Sequence, residues 1–158
     1  MDIVRFGRWE VLCDSEATRT AYAGVFLGSP EECGCEPCQN FAASRGQIYT
    51  PNVLALLRKP GISSNREAEI YHLVRLASGR HLYGGWFHVV GSIQSGGDAA
   101  KQIAENAWQP DLEEADRYFS VGFSSHLALV QKSFSGFPLV QLEFSAEVPW
   151  VISALEPN

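Results

Sequence analysis

Two apolar segments decide the fold, Glu69-Ile-Tyr-His-Leu-Val-Arg-Leu76 and Leu82-Tyr-Gly-Gly-Trp-Phe-His-Val-Val-Gly-Ser-Ile93. Both are rich in β-branched and aromatic residues, which favour β-strands. The four residues Ala77-Ser-Gly-Arg80 between them have the composition of a turn, so the pair predicts a long antiparallel hairpin. Gly84 and Gly85 in the second strand predict a bulge or a close approach of another group to the backbone.

Helices are predicted before this hairpin and further strands after it. The predicted helices begin after Asp14, near Glu36 and at Thr50-Pro51, where capping residues and early prolines favour a helix start. Strands are predicted at 3–13, 118–123 and 138–148, a loop at 26–32, a helical turn at 99–104 and an exposed acidic segment at 110–116. Elements segregated in this way indicate a single α+β domain over residues 1–158, with a mainly antiparallel sheet and short helices in the N-terminal part.

Composition excludes several classes of protein. The chain has 158 residues, of which 46% are hydrophobic and 19% charged, a globular rather than a disordered profile. Its net charge of −6 and its scattered Lys and Arg residues argue against a nucleic-acid partner. No apolar stretch is long enough to span a membrane, and the first residues do not resemble a signal peptide. These features predict a cytoplasmic protein whose cysteines are reduced.

Three of the four cysteines occur in one short stretch, Cys33-Gly-Cys-Glu-Pro-Cys-Gln-Asn-Phe41. Three thiolates within six residues can wrap one zinc ion, which prefers four tetrahedral sulfur or nitrogen ligands. Cys33, Cys35 and Cys38 are therefore candidate metal ligands. The fourth ligand would come from elsewhere, and the candidates are Cys13, His72, His81, His88 and His126.

The same stretch has two other interpretations. Cys35-Glu-Pro-Cys38 has the spacing of a redox motif at a helix N-terminus, where the helix dipole stabilises a thiolate. Thioredoxin-like proteins place such a motif after a strand, whereas here it follows a helix and a loop. Alternatively, the cysteines are reduced residues that pack a tight turn, with Asn40 bonding back to the loop backbone.

A second candidate site lies on the glycine-rich strand. In a strand, Trp86 and His88 share one face, and a Trp beside a His can line a pocket. If the hairpin pairs residue 78 with residue 82, His72 lies across from His88 on that face, whereas a slip of one residue separates them. Trp86, His88, His72 and Asn40 are the candidate pocket residues. A half-buried His beside a core Trp is the structural alternative.

With both stretches taken together, the chain resembles an uncharacterised family of soluble bacterial proteins. The resemblance rests on a cysteine-rich turn ending C-x-x-C-x-N-F, here Cys35 to Phe41, and on a glycine–tryptophan strand, here Gly84 to Gly91. It extends to Gln141-Leu-Glu-Phe144 and Val148-Pro-Trp150. The resemblance implies a single bacterial cytoplasmic domain and implies no reaction or ligand.

Two kinds of function are compatible with these residues. The first is a non-enzymatic domain that binds a small ligand or a protein, in which the cysteine turn is structural or holds zinc. The alternative is a thiol- or metal-dependent enzyme that uses Cys38 together with a nearby histidine. The aromatic face of the sheet also offers a surface for a homodimer. No phosphate-binding loop, zinc-protease motif or nucleophile elbow is present.

Overall fold

The computed structural model describes all 158 residues and has the predicted α+β architecture. Its helices are Ser15–Ala23 (α1), Ser29–Cys33 (α2), Glu36–Ile48 (α3) and Pro51–Arg58 (α4). Its strands are Asp2–Phe6 (β1), Trp9–Cys13 (β2), Glu69–Arg75 (β3), His81–Ser95 (β4), Ala100–Ala104 (β5), Ala107–Pro110 (β6), Glu113–Asp116 (β7), Phe119–Ser124 (β8) and Leu139–Val148 (β9). A 3₁₀ turn covers Lys132–Phe134.

Strand β4 organises a seven-stranded antiparallel sheet, in which six strands have the order β1-β2-β4-β9-β8-β7 and the seventh, β3, pairs with β4. One edge of β4 pairs along most of its length with β9. On the other edge, its first part pairs with β3 and its last part with β2. The predicted hairpin of β3 and β4 is therefore confirmed, and β5 and β6 form a separate two-stranded sheet.

Helix α1 fills the gap that β2 and β3 leave on the edge of β4. The Tyr22 hydroxyl donates to the carbonyl of His88 at 2.7 Å and accepts from its N–H at 3.1 Å. The Thr18 hydroxyl accepts from the N–H of Val90 at 3.0 Å. These side chains replace a strand partner, because buried backbone groups must find hydrogen bonds. The contacts anchor α1, which begins at the predicted cap Asp14.

The core lies between the helices and one face of the sheet. Its centre is a group of aromatic rings from α3, the segment after it and three strands, and all of them are buried: Phe41, Tyr49, Tyr83, Phe87, Phe119 and Phe144. Neighbouring rings in this group lie 5.2–6.4 Å apart between centroids, mostly tilted or edge-on. Aromatic pairs at these distances stabilise the fold in addition to the effect of the apolar area that they bury.

Four local predictions are wrong. Residues 3–13 form a hairpin, β1 and β2, because Gly7 adopts a positive φ of 54° and reverses the chain. Helix α2 occupies part of the predicted loop at 26–32, beginning beside Pro30. The predicted helical turn at 99–104 is strand β5, which pairs with β6. The acidic segment at 110–116 is mostly half-buried rather than exposed, because it contains β7, which pairs with β8 at the edge of the sheet.

None of the four helices has the length and apolar character needed to cross a membrane.

Candidate metal centre

The three clustered cysteines lie where α2 ends and α3 begins. Cys33 is the last residue of α2, and Gly34 after it has a left-handed φ of 67°. Because glycine alone adopts this conformation without strain, Gly34 turns the chain between the two helices. Cys35 is the extended N-cap residue of α3, and Cys38 is the third residue of that helix. The turn and the first helical turn together bring the three side chains to one point.

The three sulfur atoms form one compact group. The Sγ atoms of Cys33, Cys35 and Cys38 all lie within 4.8 Å of one another. The thiolates of a tetrahedral zinc site, with Zn–S bonds of about 2.3 Å, lie about 3.8 Å apart, so only a small contraction is needed. Cys33 and Cys35 are exposed and Cys38 is buried. The group can hold a metal ion whose outer side faces solvent.

The surroundings shift the pKa values of two of these thiols in opposite directions. The backbone N–H of Cys35, with help from the thiols of Cys35 and Cys38, lowers the pKa of Cys33. Burial, together with the two neighbouring thiols, raises the pKa of Cys38 well above its ordinary value. Cys33 is therefore the thiol that loses its proton more readily, while Cys38 stays protonated at neutral pH until a cation binds.

Hydrogen bonds tie the base of the turn to the sheet and to the C-terminal segment. The Tyr83 hydroxyl donates to the carbonyl of Pro37 at 2.8 Å. Asn40 is fully buried, and its side chain donates to the carbonyl of Pro149 at 3.0 Å and accepts from the N–H of Val151 at 2.7 Å. Asn40 therefore has a structural role. It binds the C-terminal segment, however, and not the backbone of the cysteine loop as predicted. Within the turn itself, the side-chain amide of Gln39 donates a hydrogen bond to the carbonyl of Gly34 at 2.7 Å.

A partly buried ion network fixes α2 against α3. The Arg45 guanidinium binds both carboxylate oxygens of Glu31 at 2.6 and 2.7 Å, and both oxygens of Glu67 at 2.6 and 3.1 Å. Glu67 is fully buried and also accepts from the Tyr49 hydroxyl at 2.6 Å. The Arg45 hydrogen bonds lower the pKa of Glu31. Because Glu31 lies in the helix that ends at Cys33, this network positions one side of the sulfur group.

None of the candidate fourth ligands belongs to the sulfur group. Cys13 is buried in β2, where its thiol lies 3.7 Å from the carbonyl of Val11, and burial raises its pKa to about 11. The histidines have other partners: His72 with His81, His81 with Glu156, His88 with Gln141 and His126 with Asp98. No histidine hydrogen-bonds Cys38, and this disfavours Cys38 as a base-activated nucleophile.

The structure does not bring the four candidate pocket residues together. His72 pairs with Tyr83 across the hairpin, not with His88, and its ring lies 2.8 Å from that of His81 between nitrogen atoms. The turn places Leu76 opposite Arg80 rather than residue 78 opposite residue 82, and a bulge between His72 and Val74 shifts the pairing by one further residue. Trp86 and His88 do share a face, but the Trp86 indole donates to the carbonyl of Ala128 at 2.9 Å, and His88 is fully buried. Burial lowers the pKa of His88, so its imidazole is neutral at neutral pH.

One edge of the sulfur group opens onto a cavity. Cys33 lines a cleft of about 700 Å³, together with Glu32, Glu69 and the loop residues 129–133. This cleft carries more acidic than basic side chains, so it suits a neutral or cationic molecule rather than an anion.

The sequence pattern revealed the cysteines but not the residues that hold them. Arg45, Glu67 and Tyr83 are distant from Cys33 in the chain and belong to no motif. The only local signal is Gly34 between two cysteines, since a glycine there permits the left-handed turn. The protein-family models contain no match to this chain, and neither the curated proteins nor the solved structures show a significant similarity to it. Membership of the bacterial family it resembles therefore stays a prediction.

Proposed function

We propose that this protein is a non-enzymatic binding domain whose cysteine turn holds a zinc ion through Cys33, Cys35 and Cys38. One observation carries the proposal: the three sulfur atoms lie within 4.8 Å of one another. A soft thiolate set of this kind suits zinc better than magnesium or calcium, which prefer oxygen ligands. Since thiolate ligands must be reduced, the proposal places the protein in a reducing compartment, the cytoplasm.

The chain supplies three ligands, so the fourth position would be filled from outside the sulfur group. Cys33 and Cys35 are exposed, which leaves room for a water molecule or for an atom of a bound partner. Structural zinc sites have four protein ligands, whereas sites with three keep a position for exchange. In this proposal the partner is a small ligand or a protein that reaches the exposed side of the ion.

Metal content tests the proposal directly. Untagged protein purified under reducing conditions and without chelator should contain about one equivalent of zinc, measured by inductively coupled plasma mass spectrometry. Protein that is fully reduced and folded but holds no zinc, and does not take it up on dialysis, would sink the proposal.

Zinc affinity should rise steeply with pH. The buried Cys38 thiol has a raised pKa and must lose its proton when zinc binds. Each thiol that is protonated in the free protein and deprotonated in the complex changes the apparent affinity about tenfold per pH unit. We therefore expect at least a tenfold loss of affinity per unit as the pH falls from about 8 to about 6, measured by competition with a chromogenic chelator. An affinity independent of pH would contradict thiolate ligation.

A metal-dependent enzyme is the second candidate function, and one observation favours it. Cys33 lines the 700 Å³ cleft, so the exchangeable position of a bound ion would adjoin a space that can hold a substrate. Cobalt substitution tests, by its visible spectrum, the exchangeable position that this second candidate requires. Three thiolates with an exchangeable ligand should give a spectrum that changes on adding azide, whereas a closed site would not respond.

A further inference from the structure

A second groove lies on the face of the sheet away from the aromatic core. It has a volume of about 450 Å³ and is walled by strands β3, β4, β8 and β9 and by the segment Gln109–Leu112. It shares no lining residue with the cleft beside Cys33. It is therefore a separate candidate site, and its chemistry can be considered independently of the proposed zinc ion.

One wall of this groove is aromatic and rigid. The Tyr71 ring lies directly on Gly84, where an added Cβ would collide with it, so the glycine allows the ring to lie flat on the strand. The Trp86 ring lies 6.2 Å from the Tyr71 ring between centroids, at an angle of 58°. The hydrogen bond from the Trp86 indole to Ala128 fixes that ring in place. The Tyr71 ring therefore lines the groove, and the Trp86 ring packs against Tyr71 from outside the groove lining.

The groove also contains a carboxylate without a cation. Glu143 lies opposite Trp86 in the pairing of β4 with β9, which places the two Cβ atoms about 5 Å apart. Glu143 forms no salt bridge, and its only hydrogen bond is from the Gln141 amide at 3.3 Å. No Lys or Arg lines the groove. Burial raises the pKa of Glu143, as expected for a carboxyl group that lacks a compensating charge.

We propose that this groove binds a small organic cation, with its ammonium group between Glu143 and the ring of Tyr71, which Trp86 supports from behind. Aromatic faces attract cations through the ring quadrupole, and quaternary ammonium groups are recognised in this way. A carboxylate that is partly removed from water gains most from a positive ligand, because the ligand supplies the charge that the groove lacks. Ser120 and Ser145 at the same groove provide hydrogen-bonding groups for the remainder of the ligand.

Choline and its neutral carbon isostere, 3,3-dimethylbutan-1-ol, test the proposal because they differ in charge and not in shape. We expect saturable binding of choline, with a dissociation constant below about 1 mM, followed by NMR of the tryptophan indole N–H groups. The neutral isostere should bind at least about tenfold more weakly. Tetramethylammonium, butylammonium and benzylammonium are tested alongside, since the proposal concerns the ammonium group.

Variants assign the binding to this groove. Glu143→Gln should weaken choline binding at least about tenfold, and Tyr71→Leu about tenfold, through loss of charge and of the aromatic face respectively. Glu147→Gln on the same strand is the matched control and should bind as the unmodified protein does. Failure of all four cations to bind, equal binding of choline and its isostere, or full binding by Glu143→Gln would each overturn the proposal.

Choline binding at this groove should not depend on zinc binding at the cysteine turn. A Cys38→Ser variant should bind choline as well as the unmodified protein does, because no cysteine lines this groove. Choline binding that disappears together with zinc, in a variant that is still folded by circular dichroism, would contradict a separate site.

Discussion

Replacing Cys38 by serine is expected to reduce bound zinc from about one equivalent to below about 0.1, and to weaken zinc affinity at least about a thousandfold. Cys38 is the buried member of the sulfur group, so its thiolate cannot be replaced by a neighbouring side chain or easily by water. A serine hydroxyl has nearly the same size but is a hard, weakly acidic ligand that zinc does not take in place of a thiolate. Mass spectrometry of the purified variant and chelator competition measure the two quantities.

Cys13→Ser is the matched control for this substitution. Cys13 is also buried, so it tests the effect of placing a hydroxyl in the core, but it lies outside the sulfur group. It should keep about one equivalent of zinc while losing some stability to urea. If Cys38→Ser retains full zinc, or if Cys13→Ser loses it to the same extent, the three clustered cysteines are not the ligands.

Replacing Arg45 by methionine is expected to lower the free energy of unfolding by about 3–5 kcal/mol. The substitution keeps the aliphatic length of the side chain but leaves Glu67, which is fully buried, without its cation. A buried carboxylate without a partner is strongly unfavourable, and the Tyr49 hydroxyl alone replaces only part of the lost interaction. Urea denaturation followed by circular dichroism measures the change.

Arg5→Met is the control for losing a surface arginine. The Arg5 side chain is 66% exposed and pairs with an exposed Glu10, so its removal should cost less than about 1 kcal/mol. Adding Glu67→Gln to Arg45→Met should recover part of the lost stability, because it removes the orphaned charge. An Arg45→Met variant as stable as Arg5→Met would show that the network does not stabilise the fold.

The same network connects stability to the proposed zinc site. Arg45 holds Glu31 in α2 and Glu67 beside the cleft, while Cys33 ends α2. A short helix of five residues has little stability of its own, so its position depends on such contacts. In this arrangement Arg45 acts as a positioning residue for Cys33 and touches no sulfur atom.

The sequence by itself determined the features that depend on neighbours in the chain. The hairpin of β3 and β4 follows from two β-rich segments around a turn, and the helix starts follow from Asp14 and Thr50, whose side chains accept hydrogen bonds from the first turns. The meeting of Cys33, Cys35 and Cys38 also follows from their spacing, because six residues around a glycine turn cannot separate them far. These local signals were sufficient for the α+β class and for the candidate ligands. The oligomeric state stays a prediction.

The tertiary structure decided everything that depends on register and on packing between distant segments. The turn places Leu76 opposite Arg80, and a bulge between His72 and Val74 shifts the pairing by one further residue. His72 therefore lies opposite Tyr83 and against His81 instead of opposite His88. Packing also chose the partners of Arg45 and Asn40, and it left Glu143 in a groove without a cation. Residues that are far apart in the chain meet only after the sheet and helices pack, so no local pattern records these contacts.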